Sequence, residues 1–265
     1  DYRYKVLMRA AELLLSHAEE FAQIIAKEGG KPITDARAEV NRSASTFQIA
    51  ADETKKLVGE IIPNYNVQGR FLYTIKKPVG VVAAITPFNF PLNLVAHKVA
   101  PALAAGNPVI LKPASDTATI AIKLCELLEK AGVPRGYLQC VVGSGGTVGE
   151  QLLNDERIAH YTFTGSPGVG KHIQKTIGLR KATLELGSNS ATIVHSDADI
   201  HKAAAKLAKM SFAHAGQICI SVQRIFVQKS VKERFLEKFL QEVSYLKVGD
   251  PLDPNTNVGP MINVK

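Results

Sequence analysis

From Val79 onward the chain alternates short apolar strands with helices, and this rhythm limits the fold more than any other feature. VGVVAAIT precedes a helix from about Pro91, and NPVILKP precedes one from about Thr117 to Lys130. YLQCVVG leads into a short helix from about Thr147, and IAHYTFTG into one from about Pro167. KATLELG and ATIVH then precede a helix from about Asp199. Continuously apolar strands separated by helices predict a parallel sheet covered on both faces, a doubly wound α/β fold. Ligands on such sheets bind beyond the carboxyl ends of the strands. Polar and glycine residues gather at those ends: Asn89, Lys112 and Ser115, Gly143 to Gly149, Thr164 to Ser166, and Glu185. Loop polarity explains the glycines and serines. It explains a glutamate inside LEL poorly, because an unpaired carboxylate in an apolar strand is costly.

The segment before Val79 reads differently. Apolar positions Val6, Leu7, Leu13, Leu14, Phe21, Ile24 and Ile25 predict one helix over residues 3–28, stopped by Gly29 and Gly30. A second helix is expected from Thr34, as N-cap, to Leu57. EIIPNYNVQGRFLYTIKK, residues 60–77, reads as a hairpin about Gln68-Gly69. A lone two-stranded ribbon is marginal, which points to a neighbouring subunit as its support.

Composition sets the outer limits. The chain has 265 residues, 46% of them hydrophobic, enough for one large core or two smaller ones. No apolar run approaches the roughly 20 residues that cross a membrane. The start, DYRYKVLMRAAELL, reads as an amphipathic helix rather than a signal peptide, and it begins in mid-pattern, as in a segment of a longer protein. The three cysteines have unrelated spacings, which predicts no disulfide framework, no metal site and a cytoplasmic setting. The net charge of +8 is spread along helices without a dense basic cluster, so an anionic cofactor fits better than nucleic acid.

Two glycine-rich loops follow strands and open helices. GSGGTVG, Gly143 to Gly149, is one residue longer than the common dinucleotide fingerprint, with Val148 at the expected third glycine. GSPGVGKH, Gly165 to His172, matches the phosphate-loop pattern of nucleotide triphosphatases. It has His172 where such a loop needs a magnesium-binding hydroxyl. In TPFNFP, Asn89 offers an amide NH2 at a strand end, either an oxyanion donor or a turn asparagine. In SFAHAGQICIS, Cys219 lies between a helix ending near His214 and a strand beginning near Val222. A thiol there is either a nucleophile or a small buried hydrophobe. Cys125 and Cys140 read as core.

TPFNFP, LKPAS, GSGGTVG, FTGS, LELGS and GQICISVQRIFV, in this order, resemble the aldehyde dehydrogenase superfamily over essentially the whole chain. The resemblance implies a Rossmann-like cofactor domain over 1–187, with 60–77 as its oligomerisation hairpin, and the first part of a catalytic domain over 188–265. It implies NAD(P)-dependent oxidation of an aldehyde by a homodimer or homotetramer whose chains continue beyond MINVK. Cys219 would form a thiohemiacetal and then a thioester, Asn89 would hold the oxyanion, and Glu185 would activate the hydrolytic water. Thr86, Pro87, Lys112, Ser115, Gly143, Gly149, Thr164, Gly165, Ser166 and Gly187 would hold NAD or NADP. Phe88, His214 and Ile218 would line the substrate, of a lactaldehyde or glyceraldehyde type. Two departures stand out. LELGSN carries Ser188 where a second glycine is usual, and Ser115 stands where NAD-preferring members carry glutamate. A neutral hydroxyl beside Lys112 predicts that NADP is accepted. A non-catalytic nucleotide-binding module and a phosphate-loop triphosphatase are the competing readings.

Overall fold

Three amphipathic helices open the chain: α1 (Tyr2–Ser16), α2 (Ala18–Gly29) and α3 (Ile33–Thr54). The computed structural model describes residues 1–264. The single helix expected over 3–28 is broken at His17, which leaves helical geometry at φ −110° and ψ 20°. The Ser16 hydroxyl donates to the Leu13 carbonyl at 2.8 Å, and His17 Nδ1 lies 2.8 Å from the same oxygen. The Leu13 carbonyl also accepts the His17 N–H at 3.2 Å, so both side chains close the last turn of α1 on one oxygen. Gly30 ends α2 at φ 67°, where a β-carbon would strike Pro260. Helix α3 begins one residue before the expected Thr34, and Thr34 does not cap it. Its Ile33 N–H is satisfied from afar by the Pro251 carbonyl at 2.7 Å.

The hairpin forms, but it is slight. β1 (Ile61–Ile62) pairs antiparallel with β2 (Leu72–Tyr73). Asn64 fastens the turn by donating to the Val67 and Arg70 carbonyls at 2.6 and 3.1 Å. Ile61, Tyr65, Phe71 and Tyr73 are all exposed.

The rest follows the strand–helix rhythm: β3 (Val81–Ile85), α4 (Asn93–Ala104), β4 (Val109–Lys112), α5 (Ala118–Ala131), β5 (Leu138–Cys140), α6 (Glu150–Asn154), β6 (Ile158–Thr164), α7 (Pro167–Thr176) and β7 (Lys181–Glu185). These strands form one parallel sheet in the order β5-β4-β3-β6-β7. The order reverses direction between β3 and β6, which opens the crevice a doubly wound sheet offers to a ligand. Alternation along β3 divides the core. Val82 and Ala84 pack with α1–α5 on one face, and Ala83 packs with Leu152, Tyr161, Phe163 and Ile173 on the other. Coverage fails at the edge strand β7, where Lys181, Thr183 and Glu185 are exposed.

After β7 the chain leaves this sheet. β8 (Ala191–Val194) pairs in parallel with β9 (Arg224–Val227). α8 (Ile200–Phe212) and α9 (Lys232–Ser244) cover that pair through Ala204, Leu207 and Phe235, with Val231 from the turn before α9. Asp199 caps α8, accepting from the Lys202 N–H at 3.1 Å. Among the described residues no helix is long and apolar enough to cross a membrane.

Candidate active site

The site residues hang from the carboxyl edge of the large sheet. Asn89 lies in the loop from β3 to α4, and Cys219 lies between α8 and β9. The two loops meet. Asn89 Nδ2 donates to the Gln217 carbonyl at 2.8 Å, joining positions 128 apart two residues before the cysteine. Asn89 Oδ1 is buried without a partner, and the Cys219 side chain is exposed. The thiol is therefore exposed two residues from the carbonyl that holds the Asn89 amide, whose second N–H is still available.

The backbone ahead of Cys219 is strained. His214 and Ala215 adopt φ 49° and 55°, and Gly216 follows at φ 76°. A left-handed non-glycine residue costs roughly 1–2 kcal/mol and persists only where its surroundings hold it. The Gln217 N–H and side-chain Nε2 donate to the His214 carbonyl at 3.1 and 3.0 Å. Gln217 Oε1 accepts from the Ile262 N–H at 3.0 Å, and Ser221 Oγ donates to the Ser211 carbonyl at 3.1 Å. The His214 ring is 3% exposed, lies 6.3 Å from Phe88, and has no hydrogen-bond partner on either nitrogen. Burial, helped by the nearby Lys31 charge, pulls its pKa down to about 4, so the ring is neutral. Ile218 is buried and Phe88 half-buried.

Glu185 ends β7 with an exposed side chain, so its place in LEL is not the buried one its apolar neighbours suggest. An edge strand leaves that position open to water. The Glu185 charge acts on Lys98. Lys98, buried in α4, reaches Thr162 Oγ1 at 3.2 Å. Burial lowers its pKa to about 8, partly offset by Glu185. Sequence reasoning passed over Lys98, although a lysine inside the apolar NLVAHKVAPALA is itself a signal. It also passed over Lys31 and Glu39, a buried ion pair beneath the Asn89 loop.

Around the crevice, Lys112 is buried and donates to the Pro113 carbonyl at 3.1 Å, and burial lowers its pKa. The Ser115 hydroxyl donates to the Gly143 carbonyl at 3.2 Å. The extra residue in GSGGTVG is absorbed by a π-helical turn, Gly145–Gly149, in which Val148 and Gly149 both donate to the Ser144 carbonyl. Ser166 caps α7, accepting from the Val169 N–H at 3.4 Å. His172, at the magnesium position of a phosphate loop, instead meets Glu150 Oε1 at 2.8 Å. A β-carbon at Gly165 would strike the Phe163 ring, and one at Gly143 would strike Val148. A larger residue at either position would have to displace that neighbouring side chain. A β-carbon at Gly187 would lie 3.4 Å from Pro167. Ser188 closes a local turn, its Oγ 2.7 Å from that of Ser190. A cavity of about 540 Å³ lies elsewhere, lined by Tyr2, Arg3, Leu57, Lys76 and their neighbours, and holds none of these residues.

The aldehyde dehydrogenase family model matches residues 1–265. The chain belongs to the aldehyde dehydrogenase family. It is 54% identical to a 3-sulfolactaldehyde dehydrogenase of Priestia aryabhattai, with 99% of this chain covering 56% of that protein. It is 44% identical to a lactaldehyde dehydrogenase of Methanocaldococcus jannaschii, with 99% of this chain covering 57%. Among solved structures it matches the glyceraldehyde-3-phosphate dehydrogenase GapN of M. jannaschii, complexed with NADP. There the TM-score is 0.95 and the identity 44%, with 99% of this chain covering 58% of that one. The chain thus spans a little over half the length of these aldehyde dehydrogenase relatives.

Proposed function

We propose that this chain carries the nucleophile, the oxyanion donor and the cofactor platform of an enzyme that oxidises an aldehyde to a carboxylic acid with NAD(P). One observation carries the reading: the amide of Asn89 is bonded to the carbonyl of Gln217, two residues from an exposed Cys219. The Cys219 sulfur, its proton released to water, adds to the aldehyde carbon, forming a C–S bond as the C=O π pair moves onto oxygen as an oxyanion. The free N–H of Asn89 and the backbone N–H of Cys219 stabilise that charge. When bound, the nicotinamide supplies the acceptor for the hydride that the carbon loses as the oxyanion collapses to a thioester. Water then attacks the thioester carbonyl while Glu185 takes its proton, releasing the acid and restoring the thiol. A glutamate at position 185 favours water over coenzyme A as the acyl acceptor.

The crevice fits an anionic dinucleotide. The buried hydroxyls of Thr86 and Thr164 lack partners at the ends of the adjacent strands β3 and β6. The α7 N-terminus, capped by Ser166, presents N–H groups and a positive dipole end beside them. We assign the ribose side to Lys112 and Ser115, and the path alongside to Pro87, Gly143, Gly149, Gly165 and Gly187. A serine hydroxyl in place of a carboxylate removes the charge that would repel a 2′-phosphate. The NADP named for the M. jannaschii GapN complex supports this.

The relatives are named for lactaldehyde, 3-sulfolactaldehyde and glyceraldehyde 3-phosphate, which are all 2-hydroxyaldehydes. We take that class as the substrate, touching Phe88, with His214 and Ile218 supporting it from the interior. Residues 1–187 form the cofactor part in this reading and 188–265 the beginning of the catalytic part. The exposed hairpin joins a second copy of the chain.

The test is a panel of aldehydes assayed with both cofactors, using the longest natural polypeptide that carries this sequence. Aldehyde-dependent NADPH formation that is lost in Cys219→Ser is expected, together with iodoacetamide labelling of Cys219 that aldehyde slows. Turnover that survives Cys219→Ser would sink the reading.

A further inference from the structure

The loop that carries Asn89 is held at both ends, and only one hold comes from the sheet. At the β3 end, the Thr86 N–H donates to the Lys112 carbonyl at 3.1 Å, continuing the strand pairing. At the α4 end, Leu92 offers no side-chain cap. The carboxylate of Glu39, from α3, does that work. Its Oε1 accepts from both the Leu92 and the Asn93 N–H, each at 3.0 Å. Its Oε2 accepts from Lys31 Nζ. The same Nζ lies 3.6 Å from the centroid of the Phe90 ring. Lys31 and Glu39 are 2% and 3% exposed. The pair therefore grips the residue directly after Asn89 through its ring, and the next turn through its backbone.

A helix start needs no buried ion pair. A serine or aspartate in place of Leu92 would cap α4 without removing two charges from water. What the pair adds is a fixed origin for the loop, independent of the sheet. A group that must meet a developing charge gains most from rigid support, since an error of about 1 Å can cost roughly 100-fold in rate. We propose that Glu39, its buried charge neutralised by Lys31, is a positioning residue for Asn89 and sets the oxyanion donor at its working height above Cys219. This deepens the reading above and rests on Asn89 being that donor.

The test compares two uncharged replacements of the pair in the longest natural polypeptide carrying this sequence. The substrate is the best aldehyde of the panel, with NADP. Lys31→Met with Glu39→Gln keeps an oxygen that accepts from Leu92 and Asn93, whereas Lys31→Met with Glu39→Leu has none. Both retain NADP binding, read as the Kd from fluorescence titration. The glutamine pair is expected to keep kcat/KM for aldehyde near the parent value, and the leucine pair to lose roughly 10- to 100-fold. In an Asn89→Ala background the leucine pair is expected to cause no further loss, because the group it positions is gone. A purely structural role would instead multiply the two losses.

Parent-like kcat/KM in the leucine pair overturns the inference, and so does full multiplication with Asn89→Ala. An Asn89→Ala variant with unchanged kcat/KM overturns the oxyanion reading itself, which separates the two failures. If the leucine pair does not bind NADP, Glu39→Asp, shortened by one methylene, is put through the same cycle under the same criteria.

Discussion

The chemistry of this chain turns on a few side chains whose surroundings are unlike those their neighbours in sequence suggest. His214 is neutral because it is buried, with a pKa near 4 against an ordinary 6.5. The unfolded chain therefore binds a proton that the folded one refuses. The penalty grows as pH falls from about 6.5 and levels off near 4, reaching roughly 3 kcal/mol. His214→Asn, which tolerates the left-handed conformation, should remove that dependence. Urea unfolding at pH 7 and at pH 4.5 checks it, and equal pH slopes for parent and variant would show that the ring does not titrate this way. Glu185→Gln is expected to retain the first burst of NADPH while slowing later turnovers by tenfold or more. Loss of burst and steady state together would move Glu185 to an earlier step. Ser115→Glu should cut kcat/KM with NADP roughly 10-fold or more and spare NAD, through repulsion of the 2′-phosphate. Cofactor kinetics on the two variants and the parent decide both points.

Among the elements, the strands of the large sheet were the most legible, since a continuous run such as VVAAI has few alternatives as buried structure. What sequence reading lost was capping from a distance. The start of α3 is satisfied by Pro251, that of α4 by Glu39, and that of α5 by Glu28, which accepts from the Thr119 and Ile120 N–H at 3.0 and 3.2 Å. No local window contains both partners. Glu28→Ala is accordingly expected to lower stability by about 1 kcal/mol with little change in kcat/KM, as seen by thermal melting beside a rate assay. The break at His17 was hidden for a different reason: apolar spacing runs straight through it, and only the backbone at His17 leaves helical geometry. The π-helical turn shows the reverse case. A glycine loop one residue too long for its fingerprint keeps its place by winding more widely.

For the whole molecule, the sheet order explains why residues far apart in sequence converge. Parallel strands bring all their carboxyl ends to one side, so motifs between Thr86 and Gly187 share an edge. The contact from Asn89 to Gln217 then ties that edge to the segment beyond β8. The ordered motifs made the family legible, while the buried pair beneath the Asn89 loop was not, because Lys31 falls in the link between two helices and Glu39 on a helix, where a charge is ordinarily exposed. The apolar side chains left open on the hairpin predict association. Phe71→Lys combined with Tyr73→Lys should lower the mass found by light scattering, and an unchanged mass would remove the hairpin from the interface.

The turn before Cys219 carries a consequence in stereochemistry. Ala215 sits at φ 55°, a region natural L-alanine avoids and its mirror image prefers. D-alanine placed there by peptide ligation would rest in its favoured conformation, keep the methyl group and leave the neighbouring bonds undisturbed. The handedness of one carbon atom thus becomes a way to relax the turn without altering composition.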